Sequence, residues 1–147
     1  MRRVLFDSDV LLDVLIERSP HAIASVGALD TVVPGGTVEG YVSGHAVTNM
    51  YYLLRRLVGD ARGRELLASL LTRLTVAPVT DRAIRTAFAA PFSDFEDAVT
   101  WSAALEVDAG LIVTRNIADF RASTLPAVTP AVYLARLAPR GADAPLS

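Results

Sequence analysis

Short apolar runs alternate with helix-patterned segments along almost the whole chain, and this alternation limits the fold more than any other feature. The runs are Val4 to Phe6, Val38 to Val42, Thr75 to Val79 and Leu111 to Val113, with a fifth at Ala127 to Thr129. They read as short buried strands. Between them, Asp9 to Glu17 places Val10, Leu11, Val14 and Leu15 on one helical face. Ser19-Pro20 reads as the cap and first turn of a second helix that runs to about Asp30. A third helix spans His45 to Val58, capped by Ser43 and ended by Gly59. A fourth spans Asp60 to Leu74, with a leucine stripe of 66, 67, 70, 71 and 74. Thr80 or Asp81 caps a helix broken at Pro91, and Asp94 to Val107 forms the next. A short turn or helix covers Asn116 to Phe120, and Pro130 to Leu137 is a last helix. Strands that alternate with helices imply a parallel α/β sheet of four to five strands, covered on both faces. One domain takes residues 1–137, and the closing PRGADAPLS, within 138–147, reads as a flexible tail.

In such a sheet a ligand sits beyond the carboxyl ends of the strands. Asp7 ends the first strand there and Thr114 ends the fourth. Four stretches carry the polar residues of interest: FDSD (Asp7, Asp9), TNMYYLLRR (Asn49), SDFEDA (Asp94, Glu96, Asp97) and VTRNIADF (Asn116, Asp119). Asp94 and Asp97 are three apart and share a helix face. Like charges 4 Å apart repel by about 4 kcal/mol at an effective dielectric near 20, so converging acids need a cation or a proton between them. With only two histidines and no cysteine, an all-oxygen set suits Mg²⁺ or Mn²⁺. Simpler roles compete. Asp9 or Asp94 can cap a helix, and Asp119 can bond its own loop backbone. Asp7, at the end of an apolar strand, fits such a role least. His21 and His45 lack ligand-type neighbours and read as surface or cap residues, while Tyr51, Tyr52 and Trp101 fall at core spacing.

Composition removes several classes of chemistry. The absence of cysteine excludes disulfides, thiolate zinc sites and cysteine nucleophiles. The absence of lysine excludes Schiff-base chemistry and leaves phosphate contacts to arginine. A net charge of −2 argues against a general nucleic-acid coat protein. No apolar run has the length of a membrane span, and Asp7 and Asp9 interrupt the amino-terminal run too early for a signal peptide. A cytoplasmic protein is expected.

Taken together, FDSDVLLDVL, VSGHAVTNMYYLLRR and DFEDAVTWSAALEVDAGLIVTRNIADF resemble the PIN-domain family, in particular its VapC-like toxin ribonucleases, in order and over most of residues 3 to 121. The resemblance implies a three-layer α/β/α sandwich and a metal-dependent endoribonuclease, the toxin of a type II toxin–antitoxin pair. It implies Asp7, Asp97 and Asp119 as metal-binding acids, Asn116 beside Asp119, and Thr114 as the group that orients the cluster. It also implies an antitoxin partner and a homodimer. One departure stands out: many members carry glutamate in a T-x-x-E motif where this chain has Thr48-Asn49, in a TN-x-YY variant. Asparagine offers an oxygen without a charge, so Asn49, Asp94 and Asp9 are accessory candidates. Arg115, Arg55, Arg56 and Arg121 are candidates for the RNA backbone, against the simpler reading as solvated charges.

Three rival functions remain at this level. A PIN-like binding module with a decayed site is favoured by Asn49. A solitary RNA-processing nuclease keeps the enzyme and drops the toxin role. A haloacid-dehalogenase-type phosphatase is suggested by FDSDV and LIVT, but its chemistry uses a basic residue, usually lysine, and a late acidic pair. After Thr114 this chain offers only Asp119 and Asp143.

Overall fold

The computed structural model describes residues 2–137, so the expected tail at 138–147 lies outside the described residues. Five parallel strands form one sheet in the order β3-β2-β1-β4-β5: β1 Arg2–Phe6, β2 Val38–Ser43, β3 Leu74–Ala77, β4 Leu111–Val113 and β5 Ala127–Val128. The helices are α1 Ser8–Leu15, α2 Ala22–Asp30, α3 Gly44–Val58, α4 Asp60–Leu70, α5 Asp81–Ala89, α6 Phe95–Glu106 and α7 Pro130–Leu137, with a 3₁₀ turn at Ile117–Phe120.

Alternation along the central strands divides the core. Val4, Phe6, Leu111 and Val113 face one layer, with Leu11, Leu29, Met50, Leu54, Leu67 and Tyr133 from α1–α4 and α7. Leu5 and Ile112 face the other, against Trp101, Ala103 and Ala104 of α6 and Phe120. Successive strand residues point to opposite faces, and all of these are apolar, as a sheet covered on both sides requires. The result is the expected three-layer α/β/α sandwich. α6 is a suitable cover because its small Ala103 and Ala104 pack in one cluster with Leu5 and Ile112 of the strands. At Gly59, φ is 88°, which lets α3 turn directly into α4.

Several boundaries differ from the sequence reading. α2 begins at Ala22 with His21 in the capping position, so Ser19-Pro20 does not start it. Arg18 reaches back to α1 through Asp13, and the chain turns before the second helix begins. α4 stops at Leu70, where the Thr72 hydroxyl donates to the Ser69 carbonyl, so Leu74 opens β3 instead of closing a leucine stripe. Ser43 holds the capping position of α3, yet its hydroxyl is buried and unpartnered. Tyr52 is 60% exposed, because it lies on the outer side of α3, opposite Met50 and Leu54.

Candidate active site

The chain order makes β1 the turning point of the sheet: β2 and β3 extend to one side of it, β4 and β5 to the other. A crevice at the carboxyl ends of β1 and β4 is therefore built into the topology. Asp7 and Thr114 are the residues that follow those two strands. The β1–β4 ladder holds Asp7 in place, because its N–H donates to the Val113 carbonyl (2.9 Å).

Asp7 also occupies the capping position of α1, and one of its oxygens accepts from Ser8 N–H at 2.9 Å. Capping was expected of Asp9. Asp9 instead lies in the first turn of α1 and reaches across to the β4 loop. Its Oδ2 accepts from Arg115 N–H (3.1 Å) and from the Asn116 side-chain amide (3.1 Å). The Thr114 hydroxyl donates to Asp7 Oδ2 at 2.8 Å and accepts from Asn116 N–H at 3.1 Å. Thr114 thus holds one oxygen of the Asp7 carboxylate.

α6 brings in the third acid. Asp94 is its cap, accepting at one oxygen from Glu96 N–H (2.8 Å) and Asp97 N–H (3.2 Å). That leaves Asp97 half-buried and directed toward the other acids. Burial raises the Asp97 carboxyl to about 6, reinforced by Asp94, Asp119, Glu96 and Asp9. Burial raises Asp7 to about 7, with Asp9 and Asp97 adding to the shift and the Thr114 and Ser8 bonds opposing it. Asp9 is raised as well, mainly by burial, while the Arg115 and Val10 backbone bonds work against it. These shifts have one physical origin, carboxylates crowded together out of water. Asp119 sits exposed on the 3₁₀ turn and joins the group through its charge on Asp97.

Not every candidate converges. Asn49 is exposed on α3 and its amide makes no hydrogen bond among the described residues. Arg55 and Arg56 lie in the last turn of the same helix. At 1.5 Å per residue, that turn is roughly 17 Å from the helix start at the sheet edge. Arg115 is not a free surface charge: its Nε donates to Asp13 Oδ2 at 2.7 Å.

The sequence reading assigned no role to Asp13. It is fully buried, paired with Arg18 (3.0 Å) and Arg115 (2.7 Å), and accepts from the Ser25 hydroxyl at 3.1 Å. The available signal was an aspartate on the apolar face of α1, three residues after Val10. His45 reads by sequence as a surface or cap residue. It packs at the start of α3 with Nε2 3.4 Å from the Thr100 hydroxyl, one turn after Asp97, and its buried Nδ1 is unpartnered.

Whether a hard cation fits can be judged from the donors. They are all oxygen, partly open to water, and hold protons too tightly for free carboxylates. All three properties favour a divalent ion. Among the described residues no three His, Asp or Glu side chains stand close enough to hold an ion by themselves.

Comparison with known proteins agrees with the fold. Among solved structures, the chain is similar to one from the VapBC2 complex of Rickettsia felis, bound to a DNA fragment from their promoter. The TM-score is 0.68 at 14% identity, covering 85% of this chain and 96% of that one. A toxin–antitoxin complex from Klebsiella pneumoniae gives 0.66 at 20% identity, covering 86% and 97%. The sarcin-ricin-loop-cleaving toxin VapC20 of Mycobacterium tuberculosis gives 0.59 at 15% identity, covering 74% and 86%. These likenesses are of fold. No curated protein matches the sequence. A family model described as PIN domain matches residues 3–118, and with most of its length so matched the chain belongs to the PIN-domain family.

Proposed function

We propose that this protein is a metal-dependent endoribonuclease and the toxin of a type II toxin–antitoxin pair. The observation that carries the reading is Asp7: a carboxyl raised to about 7, held by Thr114 at the turning point of the sheet and facing Asp97. A cleft that gathers negative charge without a neutralising partner is arranged for a cation and a phosphate. Asp7 and Asp97 would hold Mg²⁺ or Mn²⁺, with Asp119 and Asp9 at its margin. When bound, such an ion supplies charge neutralisation at the phosphate and acidifies the attacking water. The chain's own residues do the rest. Thr114 and the Ser8 N–H each bond one Asp7 oxygen, so the carboxylate keeps a single orientation and offers its remaining lone pairs. Asn116 and the Arg115 N–H hold Asp9 and keep the β4 loop against α1. The Asp94 cap fixes the first turn of α6, from which Asp97 projects.

RNA is the proposed substrate, and a cognate antitoxin and a second copy of the chain are the proposed partners. Exposed Tyr52, Leu57 and Val58 on α3, with Ile23 and Val26 on α2, supply apolar surface for protein partners. Among the described residues no helix is long and apolar enough to cross a membrane. A cytoplasmic location is part of the proposal. The test is incubation of the purified protein with single-stranded RNA. Mg²⁺ or Mn²⁺ should support internal cleavage and excess chelator should abolish it.

A second reading, a PIN-like binding module without catalysis, is favoured by neutral, exposed Asn49. Calorimetric titration with Mn²⁺ separates the two, since a decayed site should take up no ion.

A further inference from the structure

Beside the acid cluster lies a cavity of about 310 Å³, walled by Arg115, His21, Ser25, Thr129 and Ala131 among others, with no acidic side chain in its lining. Arg115 is its main polar feature. The side chain is only 25% exposed, and its Nε is committed to Asp13. Among the described residues its two terminal nitrogens donate no hydrogen bond. A guanidinium carries five N–H donors in a rigid fork. One edge of this fork is anchored and the other is unused. Asp13 is shared between Arg18 and Arg115, so the trio keeps one net positive charge. Unused donors on a mostly buried cation are suited to an anion, and phosphate oxygens match the fork geometry.

Two further observations give the site its direction. α2 and α7 both begin at this wall, at His21 and at Thr129-Pro130, and helix starts add positive potential. The N–H of Arg115 itself is bonded to Asp9, so the cavity begins one residue from the acid cluster. Its volume is near the lower end for small-ligand sites, enough for a phosphate and its sugar but not for a run of bases.

We propose that this cavity is a subsite for a phosphodiester of the RNA strand adjacent to the one cleaved, gripped by the free edge of Arg115. The proposal rests on the ribonuclease reading and adds the course of the strand, from the acids at β1 and β4 toward the starts of α2 and α7. Asp13 is then a positioning residue, turning the Arg115 fork so that its open edge meets the phosphate.

The test uses the full chain with a labelled single-stranded RNA oligonucleotide in chelator, read by fluorescence anisotropy over a salt series. Ala131→Glu and His21→Glu place a negative charge at the rim without touching the Asp13 pairs. Both lie at helix starts, where an acid favours folding. Each should weaken RNA binding about tenfold, the loss expected for one charge-assisted contact. Each should also make the slope of log affinity against log salt shallower by about 0.7, the value for one single-strand phosphate. In the cleavage assay KM should rise with kcat little changed. Unchanged affinity and slope in both variants would overturn the subsite, even if cleavage is normal. Conversely, rim-dependent RNA binding by a protein that never cleaves would retain the subsite and remove the nuclease reading. Tighter capture of an acidic peptide than of RNA, lost in the same variants, would reassign the cavity to a protein partner and overturn the proposal.

Discussion

Asp7 is held where burial and two neighbouring carboxylates all oppose its ionisation, and this determines how the protein should respond to pH. Its ordinary value is 3.8 and its folded value about 7, so the folded form keeps a proton that the unfolded chain has lost. Stability of the metal-free protein should therefore be fully present below about pH 4 as far as this group is concerned, and decline as pH rises toward 7. Asp97, raised to about 6, acts in the same direction. Asp7→Asn removes the charge and keeps the shape. We expect its metal-free thermal midpoint at pH 7.5 to equal or exceed that of the wild type, with a smaller fall between pH 5 and 7.5. A sharp drop in the midpoint would mean that the cap contact to Ser8 outweighs the relieved repulsion. Asp13 should respond oppositely. Its carboxylate is fully buried between two arginines, and Asp13→Ala would leave both without an ionic partner, with Arg18 keeping only its bond to the Asp9 carbonyl. The loss should be about 3 kcal/mol by denaturant unfolding, as for other buried pairs broken on one side. A loss under 1 kcal/mol would mean that water replaces the carboxylate.

At the scale of elements, the start of α6 separates two roles that the sequence left joined. Asp94 and Asp97 share one face by spacing, and Asp94 looked able to supply the charge that Asn49 lacks. Asp94 commits one oxygen to capping the helix. Asp94→Asn preserves a good cap, and Mn²⁺ affinity should stay within about twofold of wild type. Asn49→Glu should tighten it if α3 presents that position to the crevice, and calorimetric titration of both variants decides. If neither changes affinity, Asn49 lies outside the site. The strands, the Asp94 cap and Thr114 at the sheet edge were legible because each depends on local pattern: short apolar runs, an acid at a helix start, a polar residue ending a strand. The Asp13 network was not, because Arg18, Ser25 and Arg115 reach it from three separate elements. The exchange of roles between Asp7 and Asp9 was hidden for a related reason. Cap preference pointed to Asp9, and only the β4 loop, with Arg115 and Asn116, draws Asp9 away from it.

For the whole molecule, the sheet order places the site. Because β1 is flanked by β2 on one side and β4 on the other, the crevice opens where Asp7 and Thr114 emerge. α6 crosses the second face of the sheet and carries Asp97 to the same edge. A larger cavity, of about 860 Å³, opens among Arg2, Arg3, Val38 and Gly110 at the amino ends of the strands, away from the acids. Size alone would point there, whereas the proposed site follows the convergence of raised carboxyls. The most direct measurement is cleavage of single-stranded RNA by wild type, Asp7→Asn and Asp97→Asn in Mn²⁺, with folding checked by circular dichroism. The wild type should cut internally and lose activity in excess chelator. Each variant should fold and cut at least about a hundredfold more slowly, as expected when a group that organises the reacting charge is removed. Wild-type cleavage in excess chelator, or full activity in both folded variants, would contradict the assignment of Asp7 and Asp97 as the catalytic acids.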